Sequence, residues 1–104
     1  MSDLLGKRIF LTGGTGFLGR VVKQQLIEAQ VADVFAPSSS EFDLRDINAI
    51  QEAYRSSEAE VVIHLAAVVG GIGANRENAG KLFYDNAIMG IQLMEQARQY
   101  GVEK

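Results

Sequence analysis

The chain has 104 residues, 47% apolar and 22% charged, with a formal charge of −3, one proline and no cysteine. That length allows one domain at most, with a small core, and the balance is that of a globular chain. An acidic charge speaks against nucleic-acid or anionic-membrane partners. Missing cysteine excludes disulfides and thiolate chemistry, and no metal site is expected. Without a signal-like apolar start or a run long enough to span a bilayer, a soluble, cytoplasmic protein is the default.

The apolar run Ile9-Phe10-Leu11 predicts a first strand over roughly Arg8 to Thr12. A helix over Phe17 to Ala29 follows, with Phe17, Leu18, Val21, Val22 and Leu26 read as one apolar face. The second strand is Val34 to Ala36, stopped by Pro37 and the serines Ser38 to Ser40. Glu41 to Leu44 resembles an extra strand. It follows the second strand too closely for a parallel crossover, so it is a stub or an extended loop. Asp46 to Ser56 predicts a second helix with Ile47, Ile50 and Tyr54 on one face and Asp46 as N-cap. The third strand is Val61 to Leu65, continuous enough in apolar residues to be buried on both sides. Gly70 to Asn78 is read as a loop. A third helix runs from Lys81 to Tyr100 with Gly101 as its C-cap and an apolar arc of Ile88, Ile91, Leu93, Met94 and Ala97. Alternating strands and helices predict an α/β, Rossmann-like doubly wound parallel sheet with helices on both faces. Such sheets continue with further strands. Residues 1–104 are therefore expected to be the N-terminal portion of such a domain, with the third strand as an open edge.

Residues Thr12 to Gly19 read T-G-G-T-G-F-L-G and place Gly13, Gly16 and Gly19 at G-x-x-G-x-x-G spacing between a strand and a helix. Glycines allow a tight turn and close approach of an anion, and the free amides and dipole of the helix favour its charge. Gly13, Gly14, Thr15, Gly16, Phe17, Leu18 and Gly19 are thus candidates to hold a pyrophosphate; the alternative is a turn that serves packing alone. A P-loop is excluded because no Lys-Ser/Thr pair follows the last glycine. At the tip of the second strand Asp33 stands at the wrong end and Glu41 lies late. With no carboxylate there, Ser38 could bond to a 2′-phosphate, and NADP is favoured over NAD. Asp43 could accept a hydrogen bond from the adenine amino group beside the Leu44 amide, or could cap the second helix together with Asp46. The small residues around Leu65, Ala66 and Ala67 could let a cofactor lie flat, or only permit close packing. His64 is expected to be a core histidine bonded to backbone.

T-G-G-T-G-F-L-G, D-L-R-D at Asp43 to Asp46 and V-I-H-L-A-A at Val62 to Ala67 together resemble the extended short-chain dehydrogenase/reductase family. Within it, V-G-G-I-G-A-N at Val69 to Asn75 and F-Y-D-N at Phe83 to Asn86 resemble the GDP-L-fucose synthase branch. The resemblance implies an NADPH-dependent epimerase and reductase acting on GDP-4-keto-6-deoxy-D-mannose. It implies Gly13 to Gly19 at the pyrophosphate, Asp43 and Leu44 at the adenine, and Ala66 and Ala67 along the ribose and nicotinamide. Asn86 would approach the active site, Val69 to Asn75 would lie near the nucleotide sugar, and the third helix would build a homodimer. Family chemistry needs a serine and a Tyr-x-x-x-Lys helix, expected beyond this segment. Tyr100 and Lys104 match the letters, but Gly101 ends the helix between them, so no catalytic residue is assigned. Branch members often carry basic residues near the 2′-phosphate, where this chain has Thr15 and serines. The alternatives are an NAD-dependent sugar-nucleotide epimerase or dehydratase of the same superfamily, and a non-catalytic dinucleotide-binding module.

Overall fold

The computed structural model describes residues 4–38, 40–66 and 72–103, without the side chains of 72–79 and 82. Its elements run β1 (Arg8–Thr12), α1 (Phe17–Glu28), β2 (Asp33–Phe35), α2 (Ile47–Ser57), β3 (Val61–His64) and α3 (Ile72–Gln99). All strand pairs are parallel and the order is β2-β1-β3, with Ile9 facing Val34 on one side and Val61 on the other. The expected α/β architecture is present, with β3 an edge among the described residues.

Side chains of β1 alternate between two layers, as the pleat requires. Ile9 and Leu11 are buried with Leu26 and Val61, against Val22 of α1. Phe10 points the other way, into Ile50, Ala53, Tyr54, Met89 and Leu93 of α2 and α3. Its ring meets Tyr54 edge-on at 5.5 Å and tilts against Phe35 at 5.7 Å. Tyr54 donates its hydroxyl proton to the Leu93 carbonyl at 2.8 Å, which ties α2 to α3. Helix caps follow local chemistry. Asp46 accepts from the Asn48 amide at 2.9 Å. Gly101 takes φ +73°, so that the Val102 amide reaches the Ala97 carbonyl at 2.9 Å.

Several expectations are corrected. On α1, Phe17, Leu18 and Val21 are exposed, and the face toward the sheet is Gly19, Val22 and Leu26. Apolar residues there lie on two sides of the helix, and the close approach of Gly19 decides which side packs. On α2, Ile50, Ala53 and Tyr54 are buried whereas Ile47 is exposed. The third helix begins at Ile72, so residues 72–78, read as loop, are helical. Glycine and asparagine are weak helix formers, but they do not block propagation of a helix already nucleated by a packed half. For residues 41–44 the loop alternative holds, because the Glu41 and Phe42 amides both turn back onto the Ser38 carbonyl at 3.0 Å.

Candidate functional site

From β1 the chain crosses over α1 to β2, then returns over α2 to β3 on the far side of β1. The connections leaving the carboxyl ends of β1 and β3 therefore diverge, which opens a crevice at that edge. The glycine loop lies there, beside the Leu65 and Ala66 exit of β3.

Each glycine of the loop is required by something different. Gly13 has φ +73°, and a Cβ on it would lie 2.8 Å from the Ala66 nitrogen and the Leu65 carbonyl carbon. One on Gly14 would lie 2.8 Å from the Ala36 Cβ, and one on Gly19 would run into the Gly13 carbonyl oxygen. Gly16 is different. Its backbone is extended, at φ −76° and ψ 175°, and the nearest atom to an added Cβ is the Gly13 oxygen at 3.6 Å. Among the described residues nothing requires glycine at that position; a ligand seated on the loop would.

Gly16 is also the N-cap of α1, with no side-chain cap and no acidic residue in the first turn. The first intrahelical bond runs from the Arg20 amide to the Gly16 carbonyl at 3.0 Å. The Phe17, Leu18 and Gly19 amides thus precede any available carbonyl, at the positive end of the helix dipole. Thr15, Phe17 and Leu18 are exposed, Phe17 at 87%, so the end of the helix is uncovered.

Thr12, which sequence reasoning treated only as the start of the motif, connects the two loops. Its buried Oγ1 accepts the Leu65 and Ala66 amides at 3.0 and 3.1 Å and lies 2.6 Å from His64 Nδ1. With two protons already received, the hydroxyl donates its own to Nδ1, which leaves the ring proton on Nε2. A threonine closing a strand immediately before the glycines was the available signal. His64 is not a core histidine; it is exposed at the end of β3 and bonded to a side chain. Although much of the ring meets solvent, withdrawal of the rest pushes its pKa below the ordinary 6.5. A depressed histidine favours the fold fully above 6.5 and loses that contribution as the pH falls through it. The melting temperature should therefore drop on acidification across that window, and His64→Gln should flatten the profile. A native profile already flat there would refute the assignment.

At the tip of β2 the expectation of no nearby carboxylate is corrected. Glu41 folds back so that Oε1 accepts the Ser38 amide at 2.9 Å and the Ser38 hydroxyl at 3.1 Å. Asp43 does not cap α2. Its oxygens accept the amide, Nε and Nη2 of Arg45, all at 3.0 Å, which hold its carboxyl below the usual range. Arg45 also reaches Asp85 at 3.5 Å, a buried carboxylate on α3 paired with Lys81 at 2.8 Å. Asp85 was missed as a site-supporting residue; its i,i+4 spacing from Lys81 was the available clue. Leu44 is buried and Asn86 half-buried, while Ala67 and Val69 to Gly71 lie outside the described residues.

A 420 Å³ hollow lined by residues including Arg8, Arg55, Glu60 and Tyr100 opens at the amino ends of β1 and β3, the wrong edge for a nucleotide. Burial pushes the Tyr54 hydroxyl beside it up to about 12, so it is no ready acid at neutral pH. Among the described residues no three His, Asp or Glu side chains cluster to hold a metal ion, and no helix is long and apolar enough to cross a membrane.

Residues 9–104 match the NAD dependent epimerase/dehydratase family. GDP-L-fucose synthase of Azorhizobium caulinodans is 36% identical over 92 residues, covering 86% of this chain and 28% of that protein. GDP-L-colitose synthase of Yersinia pseudotuberculosis is 32% identical over 97 residues, covering 93% and 31%. A GDP-L-fucose synthetase from Naegleria fowleri, solved bound to NADP, superposes with a TM-score of 0.78 at 32% identity, covering 90% of this chain and 28% of that one. The chain thus spans under a third of the length of these relatives.

Proposed function

Since this chain belongs to the NAD dependent epimerase/dehydratase family, we propose that it holds NADP(H) for a nucleotide-sugar epimerase and reductase of the GDP-L-fucose synthase type, acting on GDP-4-keto-6-deoxy-D-mannose. The observation that carries this proposal is Gly16: an open glycine at an uncapped helix N-terminus, on the carboxyl edge of a parallel sheet. The loop from Gly13 to Gly19 receives the pyrophosphate through main-chain amides, which cost no reorganisation because the protein already holds Gly13, Gly14 and Gly19 in place. Asp43 and the Leu44 amide face the adenine, and Ser38 the 2′-phosphate. Leu65, Ala66 and Ala67 line the ribose and nicotinamide side, and Asn86 stands toward the reacting end. When bound, the nicotinamide supplies hydride to a sugar carbonyl.

Residues 1–104 serve as the amino-terminal part of the coenzyme domain, orienting the coenzyme and not transferring protons. Tyr54 spends its proton on the Leu93 carbonyl, and Tyr100 stacks on Tyr54 at 5.6 Å beyond the end of α3. The exposed Phe83, Tyr84, Ile91 and Met94 on α3 support a homodimer formed through that helix.

Fluorescence titration of the full chain with NADPH and NADH tests the proposal. NADPH should bind tighter by about tenfold or more, equivalent to ~1.4 kcal/mol. A clear NADH preference would select the second reading, an NAD-dependent epimerase or dehydratase. The Glu41 carboxylate near the β2 tip is the observation that favours it.

A further inference from the structure

Arg45, in the loop between β2 and α2, is gripped from two directions. Within the loop, its amide and Nε donate to Asp43 Oδ1 and its Nη2 to Asp43 Oδ2, all at 3.0 Å. From across the fold, α3 holds it twice. Nη1 lies 3.5 Å from the Asp85 carboxylate, and Gln92 Nε2 donates to the Arg45 carbonyl at 3.3 Å. Asp85 and Gln92 stand about two turns apart on one face of α3. Asp85 is buried, and a buried carboxylate needs a cation. Lys81 already supplies one at 2.8 Å from within α3. What Arg45 adds is a tie between that helix and the loop. The same grip shapes Asp43. Oδ1 has both acceptor positions filled, whereas Oδ2 has taken one bond and has a position left. The Asp43 side chain is half exposed, so that position is reachable. Arg45 also keeps the carboxyl ionised, since its bonds hold it below the usual range.

We propose that Arg45 is a positioning residue for the coenzyme: clamped by Asp85 and Gln92 of α3, it aims the open acceptor of Asp43 at the adenine amino group, so that adenine recognition depends on α3. The inference rests on the coenzyme reading above, which puts Asp43 and the Leu44 amide at the adenine, and adds the residue that sets their geometry. Leu44 is buried in the α2–α3 layer, so the segment is fixed from inside by packing and from outside by Arg45. An acceptor already held in its bound orientation loses little freedom when the base arrives. Asn86 directly follows Asp85, so the turn of α3 that supports the adenine end also carries a residue proposed for the reacting end.

Dissociation constants would be measured on the full chain for NADPH and for its hypoxanthine analogue, in which a ring carbonyl replaces the adenine amino group. The unaltered chain should prefer adenine by about tenfold, the scale of one hydrogen bond to a charged group. Arg45 is exposed, so Arg45→Ala should fold, and it should cut that preference to about twofold. A merely structural role would weaken both coenzymes alike and leave their ratio unchanged. Arg45→Lys should restore little, because a single ammonium does not reproduce the fork on Asp43 while reaching Asp85. Asp85→Asn should lower the preference as well, and combining it with Arg45→Ala should lower it no further, since both changes break one tie. Lys81→Ala, which leaves that tie in place, should keep the preference within about twofold of the unaltered value. No adenine preference in the unaltered chain, or an unchanged one in Arg45→Ala, would overturn the inference. Additive losses in the double variant, or a loss in Lys81→Ala equal to that in Arg45→Ala, would overturn it too. Each of these leaves the coenzyme reading intact, whereas failure of both NADPH and NADH to bind the unaltered chain would remove both.

Discussion

Gly16→Val should weaken NADPH binding by about a hundredfold or more, the equivalent of losing two charge-assisted hydrogen bonds to the pyrophosphate, while the fold persists. Extended backbone at Gly16 accepts a β-branched residue, and among the described residues other than its chain neighbours the nearest atom to the added Cβ is the Gly13 oxygen at 3.6 Å. The side chain must then occupy the space a ligand would use. Gly19→Ala is the contrasting case. Its methyl would be driven into the Gly13 carbonyl, an overpacking on the order of 1–3 kcal/mol, so the cost falls on stability first. Circular-dichroism melts paired with NADPH fluorescence titrations separate the two effects. If Gly16→Val kept its affinity, the loop would be a packing device and the proposed function would fail.

Phe10→Ala should cost about 3–5 kcal/mol, a large part of the roughly 5–15 kcal/mol available to a whole domain. Phe10 is fully buried at the centre of the middle strand. It is the one β1 side chain in the α2–α3 layer's core cluster, touching the Tyr54 and Phe35 rings. Relaxation around the cavity is restrained on both flanks, since Tyr54 is held to Leu93 and Phe35 is held edge-on by Phe42 at 5.6 Å. Urea titration should show the midpoint collapse. Phe83→Ala, at a side chain 77% exposed, should stay within about 0.5 kcal/mol in the monomer. Comparable losses at both positions would mean that the Phe10 layer is not the stabilising core.

Local chemistry carries much of this protein in its sequence. Ile9-Phe10-Leu11 and Val61-Val62-Ile63 declare parallel strands, though only the first is buried throughout and β3 is a half-buried edge; Asp46 and Gly101 declare helix ends, and the glycine spacing between a strand and a helix declares the turn. In each case the cause lies within a few residues of its effect, as a missing Cβ, a capping oxygen or a pleat period. Contacts between residues distant in sequence were not legible in this way. The choice of packing face on α1 depends on Gly19 meeting Gly13 within the fold, so the apolar pattern alone groups the exposed Phe17 and Leu18 with the buried Leu26. His64 looks apolar in its neighbourhood, but it closes an edge strand and answers to Thr12, 52 residues away. The start of α3 was hidden because weak helix formers extend a helix that packing elsewhere has nucleated.

By itself the sequence determined the order of elements, the parallel sheet and the position of the glycine turn between β1 and α1, because backbone geometry and short-range bonding specify these. Tertiary structure alone decided that Arg45 is anchored on a buried Asp85, and that Gly16 is the one glycine of the loop whose Cβ position is left open among the described residues. Those facts depend on distances between segments, which no local pattern encodes until the sheet has brought them together.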